Sequence, residues 1–518
     1  MKRILALLLA ALMTIPMLSG CRIGDDGAYV PTGDGLTWDD PEHSRPTEPE
    51  REQELTMVYT PSESYNPYLT TNQLNRAWMS LIYQGLFATD SNYKTWPILC
   101  ESYWMSGDMQ TYIFYLRPDA TFSDGTPVTV ADVMATLQYA MDTQLYSGRF
   151  THVVDIYPAG SGIAVDLDTP YENFPLLLDI PILKATQLTD PEPLGTGPYR
   201  MNRVTSGMRL VRVGTWWESF KRLPITATAI TLLEAKNSVQ IRDEFELGDV
   251  DLVRADPGSP DFAAYRCDYE LWDCENGDFL YLGVNTDGDL FGNATLRQAL
   301  THGIDREKIN NEFYHGLGLA ANLATSPLSP YYDATLAASY GYDLEKFTQA
   351  VTAAGATGST VRILVNSADN RRVRIARSLG AMMAAGGLVP EIVEYTGNDY
   401  TYTLAIRNYD LHLGETRLSP NMDLSPFFSG GGSLNYGNMG NPRLAALCLD
   451  ALANKGNFYN LLKDVAADGR LVPIIFGSYT VYGERGVATN LRPARDNLFF
   501  YQLGVTMAQA LLHEQKTD

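Results

Sequence analysis

The chain has 518 residues, 45% hydrophobic and 19% charged, with a formal net charge of −22. That length exceeds one ordinary domain and the composition is globular, so two large lobes or three smaller units are expected and a disordered chain is excluded. The acidic balance argues against a phosphate-backbone surface, which needs Lys and Arg, so nucleic acid is not an expected partner.

Lys2 and Arg3 precede an apolar run from Ile4 to Met13, too short to span a bilayer but right for an export signal. The run leads to Leu18-Ser19-Gly20-Cys21, which resembles a bacterial lipobox. Residues 1–20 are therefore expected to be a signal peptide and Cys21 a lipidated first residue; the alternative is a chance cysteine behind an ordinary signal. No later segment offers the roughly 18 uninterrupted apolar residues of a membrane span. Residues 21–54 are rich in Gly, Asp, Pro, Glu and Thr, the composition of a solvated tether.

The folded body begins with an expected strand at Leu55–Tyr59, followed by a helix running from Leu74 into Ile82–Phe87. Tyr112–Arg117 alternates like a strand. Phe122-Ser123-Asp124-Gly125-Thr126-Pro127 then makes a turn, and Thr129 or Val130 opens a helix with Val133, Leu137, Ala140 and Met141 on one face. Gly195-Thr196-Gly197-Pro198-Tyr199 lacks the third glycine of a dinucleotide loop and reads as a turn. Phe279–Asn285 is β-prone; Asn293 then caps a helix whose face carries Leu296, Ala299, Leu300, Gly303 and Ile304, and Asp305 caps another with Ile309, Phe313 and Leu317. Val361–Val365, a helix through Val373, Ala376, Gly380 and Met383, and Leu388–Val393 form a β-α-β unit. A short strand at Val472–Phe476 follows.

Several of these stretches together carry a resemblance. Asn66-Pro67-Tyr68 with Tyr83-x-Gly85-Leu86, the run from Phe122 to Val133, Gly195–Tyr199, and Leu296-Arg297-Gln298-Ala299-Leu300 with Gly303-Ile304-Asp305-Arg306 resemble the family 5 extracellular solute-binding proteins, the peptide- and nickel-binding receptors of ABC importers. The resemblance implies an α/β, two-lobe fold like that of periplasmic binding proteins, with a hinge and an extra subdomain in the first lobe. The expected limits are lobe I at 55–285, including a subdomain at about 78–185, lobe II at 286–474, and a return to lobe I at 475–518, with crossings near Asn285 and Ile475. It also implies a monomeric lipoprotein held on the outer face of the cytoplasmic membrane, or in the periplasm, that delivers short peptides to the membrane subunits of a permease. The alternatives are a nickel or metal-complex receptor of the same family, and a non-transport lipoprotein, an adhesin or chaperone, using the same fold.

Nothing in the residues asks for a reaction. The six histidines lack zinc spacing, and there is no Gly-x-Ser-x-Gly elbow and no Gly-Lys-Ser/Thr phosphate loop, so neither enzyme activity, a metal nor a cofactor is expected. Cys267 and Cys274 form either a disulfide or two separate buried thiols. For ligand recognition the resemblance points to Tyr65 and Asn66 and to the loop after the strand at Tyr409–Leu413. There Ser419-Pro420 replaces the family's usual aromatic segment and acid. Glu415, Arg417, Asn421, Asp423 and Tyr436 are the remaining candidates. Arg417 acts either as a bidentate clamp on a ligand carboxylate or as an internal bridge to Glu415 or Asp423. The glycine-rich run Ser429–Ser433 either approaches a ligand or is a flexible turn.

Overall fold

A computed structural model describes residues 54–501, apart from 206, 219–221, 263–264 and 489–490. The expected signal peptide, Cys21 and nearly all of the tether lie outside the described residues. Among those described, no helix is long and apolar enough to cross a membrane.

Strand β1 (Glu54–Tyr59) buries Leu55 and all of Met57–Tyr59 before the chain turns into helix α1 (Gln73–Met79), whose N-cap Asn72 accepts from Asn75 N. The helix expected to run on to Phe87 stops at Met79. The carbonyls of Leu81 and Ile82, which an α-helix would use internally, instead accept from Tyr199 N at 3.0 Å and Gly197 N at 2.8 Å. Gly195 makes that approach possible, because a Cβ there would lie 2.0 Å from the Ile82 carbonyl oxygen. Beyond a hairpin of β2 (Phe87–Thr89) and β3 (Thr95–Pro97) come β4 (Cys100–Met105), β5 (Thr111–Leu116), helix α2 (Val130–Met141), β6 (Val153–Ala159) and β7 (Gly162–Leu167). These four strands form an antiparallel sheet in the order β4-β5-β7-β6. Gly125 takes the left-handed turn conformation (φ 82°), and Thr129 with Asp132 closes a capping box on α2. Val133, Leu137 and Ala140 are fully buried in one continuous core with the N-terminal part of the large sheet.

The large sheet holds β8 (Tyr199–Val204), β9 (Gly207–Arg212), β10 (Ala229–Glu234), β11 (Leu252–Ala255), β12 (Glu270–Val284), β13 (Leu319–Ala320), β14 (Thr360–Asn366), β15 (Val389–Tyr395), β16 (Leu411–Arg417) and β17 (Leu471–Gly483) with β1. Its order is β15-β14-β16-β12-β17-β11-β1-β10-β9-β8, with β13 paired to β17. Helix α3 (Ser238–Glu246) lies between β10 and β11; α4 (Ala294–Ala299) and α5 (Arg306–Phe313) follow β12, capped by Asn293 and Asp305. Helix α6 (Asn370–Ala385) joins the parallel pair β14 and β15, the expected β-α-β unit.

Two strands carry through both halves. Strand β17, expected to be short, is 13 residues long and buried throughout. Strand β12 pairs with it from Glu270 to Gly283, and the register shifts between Glu275 and Phe279, where Gly277 has φ 82°. Before the shift Cys274, with Tyr479 and Val481 opposite, belongs to the first core. After it Leu280, Leu282 and Val284, with Val472, Ile474 and Ile475, belong to a second core under α4, α5 and α6. The partner change therefore falls at Gly277, not at the strand's end beside Asn285. All four described cysteines are free thiols, Cys274 buried and Cys267 half-buried.

Candidate functional site

A contact between the two halves is organised by a carboxylate near the C-terminus of the described chain. Asp496 Oδ1 accepts from Arg417 Nη2 at 2.7 Å, and its Oδ2 from Arg149 Nη2 at 3.2 Å. Arg417 ends β16, on the side of the second core, and its Nε also donates to Asn276 O at 3.0 Å. Arg149 reaches from the loop after α2, pairs in addition with Asp179, and donates to Leu177 O at 3.2 Å. Burial alone pushes the Asp496 carboxyl up, but Arg417, Arg149 and Arg495 outweigh it and hold the group far below the usual carboxylate range. Asp496 is therefore an anion whose charge is already shared between the two halves.

Two contiguous cavities adjoin it. The larger, with an empty volume of about 790 Å³, is walled by Met79, Tyr83, Phe87, Asp179 and Tyr501, and meets the smaller at Arg76, Asp496 and Asn497. The smaller, about 300 Å³, adds Arg254, Arg417, Tyr479 and Arg495. Apolar and aromatic walls with a few converging charged groups are what a small-molecule site requires. Glu275, buried on β12, accepts from the Tyr93 hydroxyl and from Ser326 Oγ, the latter at 2.6 Å. At the rim Glu172 N donates to Leu452 O at 3.0 Å, and Lys455 Nζ lies 3.2 Å from Glu172 Oε1. Among the described residues no group of three or more His, Cys, Asp or Glu side chains is placed to hold a metal ion.

Of the residues singled out from the sequence, Arg417 lies at this contact, and its carboxylate partner is neither Glu415 nor Asp423 but Asp496, 79 positions on. Glu415, two residues back along β16, takes Arg371 Nη2 at 2.8 Å instead; burial pushes its carboxyl up, partly opposed by Arg371 and Arg372. Asp423 accepts from Ser425 N and Oγ, each at 2.8 Å, and Asn421 is buried beside it. Tyr65 is buried with its ring against Trp78, and Asn66 is fully buried, donating to Leu188 O and Asp190 O at 2.9 Å. Tyr436 stands edge-on to His412 inside the second half. The glycine-rich run folds back on the short helix at 425–428, with Leu434 N donating to Pro426 O at 3.0 Å. The structure thus does not bring these residues together. It assembles Arg76, Arg149, Arg254, Arg495 and Asp496 instead, from four separate stretches, and only the adjacent Arg495-Asp496 pair was visible as a local feature of the sequence.

Comparison with known proteins agrees with this architecture. Residues 94–437 match the family model described as "Bacterial extracellular solute-binding proteins, family 5 Middle". The glutathione-binding protein GsiB of Salmonella typhi is 25% identical over 289 residues, covering 51% of this chain and 54% of GsiB, so the chain spans about half the length of the curated relatives it matches. Among solved structures, HbpA2 from Haemophilus parasuis superposes with a TM-score of 0.73 at 18% identity, covering 88% of this chain and 100% of that one. A putative peptide binding protein AppA from Clostridium difficile gives 0.72 at 15% identity over 86% and 98%. NikZ from Campylobacter jejuni, solved in complex with Ni(L-His), gives 0.62 at 18% identity over 88% and 98%.

Proposed function

Because the chain belongs to the bacterial extracellular solute-binding proteins of family 5, we propose that it captures a small solute, a short peptide in the leading reading, between two lobes and delivers it to an ABC permease. The observation that carries this reading is the pair of continuous strands β12 and β17, which enter both cores and shift register together beside a glycine. Two chain crossings at one bulge let the lobes rotate without either unfolding. The hinge then lies at Gly277 on β12 and at the facing Gly477 on β17. Closure brings Arg417 of the second lobe onto Asp496 of the first. The mature protein acts as a monomer tethered by a lipid on Cys21, outside the cytoplasmic membrane.

A metal complex is the second reading, favoured by the solved neighbour that holds Ni(L-His). Native mass spectrometry of the freshly purified protein identifies the retained solute and separates the two. Small-angle scattering with that solute tests the mechanism. The radius of gyration falls on binding if the lobes close, and an unchanged radius at saturation, starting from an open unliganded form, refutes hinge capture.

A further inference from the structure

Among the described residues, three guanidinium groups around the smaller cavity make no hydrogen bond to a carboxylate. Asp496 is engaged by Arg417 and Arg149, and Asp179 by Arg149. Arg254, on β11, lies 4.4 Å over the ring of Tyr479 and is paired with no carboxylate among the described residues. Arg495 gives one N–H to Leu418 O, while its Nε and Nη1 are buried without a hydrogen-bond partner. The nearest carboxylate oxygen, on Asp496, stands 3.8 Å from that Nε. Among the described residues Arg76 makes long contacts, 3.4 Å each, to Pro67 O and the Tyr146 hydroxyl. All three line the smaller cavity. In a chain of net charge −22 this concentration of guanidinium groups is local to the cavity and not a reflection of overall composition.

Resting on the reading above as a solute receptor, we propose that the smaller cavity receives the oxyanion end of the solute, a carboxylate or a phosphate, between Arg76, Arg254 and Arg495. Buried guanidinium groups are costly unless paired, and their planar forks match both oxyanions with two parallel N–H donors. Burial works against the protonated form of Arg254, opposed in part by Tyr479, Asp256 and Asp278, and an anion seated beside it favours that form further. The larger cavity, with Tyr83, Phe87 and Tyr501, takes the body of the solute.

The test uses the full chain stripped of retained solute, and three probes measured by calorimetry: a mixed tripeptide library with free C-terminal carboxylates, the same library as C-terminal amides, and inorganic phosphate. The expected result is binding of the acids or of phosphate, with amides weaker by about tenfold or more, since a charged hydrogen bond is lost. Arg254→Gln abolishes that preference while the variant, though it loses the contact with the Tyr479 ring, still unfolds cooperatively; Arg254→Lys restores part of the preference. Acids and amides binding alike, or Arg254→Gln keeping the preference, overturns the proposal. If no probe binds, the molecule retained on the freshly purified protein decides. A retained anion supports the proposal, and a retained neutral or cationic molecule refutes it while leaving the receptor reading standing. No binding and no retained molecule refutes both.

Discussion

Asp496→Asn tests whether one carboxylate holds the cleft together. The aspartate side chain is 14% exposed, Arg149 7% and Arg417 35%. Asparagine keeps the shape and one accepting oxygen but removes the charge, leaving Arg149 to Asp179 and Arg417 without its counter-ion. Removing one member of a fully buried pair costs about 3–5 kcal/mol, whereas an exposed pair is worth less than about 1 kcal/mol. Here one partner is buried but has a second carboxylate, and the other is about one-third exposed. The expected loss is therefore intermediate, about 2 kcal/mol, read from urea unfolding at pH 7 by linear extrapolation. A double-mutant cycle with Arg417→Ala should return a coupling of about 1 kcal/mol, the share of the contact across the cleft. The pH dependence has a definite sign. The native carboxyl is held far below its ordinary value, so the unfolded chain takes up this proton first, near pH 4, as acid is added. Its contribution is complete above about pH 4 and is lost progressively below, so Asp496→Asn should flatten the acid limb of the stability profile. A loss under about 0.5 kcal/mol, with an unchanged acid limb, would refute the reasoning.

Gly277→Ala should destabilise the unliganded protein by about 1–3 kcal/mol, because the residue sits at φ 82° and a Cβ would lie 2.2 Å from Arg495 Cζ; equal urea midpoints for variant and parent would count against a conformational requirement at the bulge. His412 is buried, and burial lowers its pKa to about 4. The unfolded chain therefore protonates first near pH 6.5, and native stability should fall by up to about 3 kcal/mol as the pH drops from there to about 4. His412→Leu should remove that slope, and a slope that survives the substitution must come from other groups. Thr129→Ala should cost about 1 kcal/mol through loss of the capping box, with solute affinity unchanged. Cys21→Ser should release the mature protein from the membrane fraction while leaving its melting temperature unaltered; membrane retention of a processed variant would disprove the anchor.

Much of the fold was legible because its determinants are neighbours in sequence. Asn293, Asp305 and Thr129 accept hydrogen bonds from backbone groups two or three residues ahead, and Gly125 supplies a left-handed turn, so caps and turns need no tertiary knowledge. The β-α-β unit of β14, α6 and β15 announced itself by period and length in the same way. The helix after Leu74 did not. Apolar residues continue past Met79, and only Gly197 and Tyr199, more than 100 positions away, claim the carbonyls that would have extended it. The full length of β17 and its shared role in both cores likewise depend on pairing with β12.

The site was the least legible part. Tyr65 and Asn66 are polar or aromatic residues near a turn, a pattern that serves a ligand or a core equally well, and here backbone carbonyls at 188 and 190 take up the Asn66 amide. Arg417 was recognisable as a charge in need of a partner, but the nearest carboxylates in sequence are not its partners. Glu415 and Arg417, two apart, share a face of β16, yet Glu415 meets Arg371 of α6 while Arg417, at the strand's end, meets Asp496 on the returning C-terminal segment. Sequence alone settles what depends on hydrogen bonds within a few residues and on hydrophobic period. Which charges share a cleft is settled by register and chain return over separations of 79 to 347 residues, because Coulomb interactions follow distance in space and not along the chain.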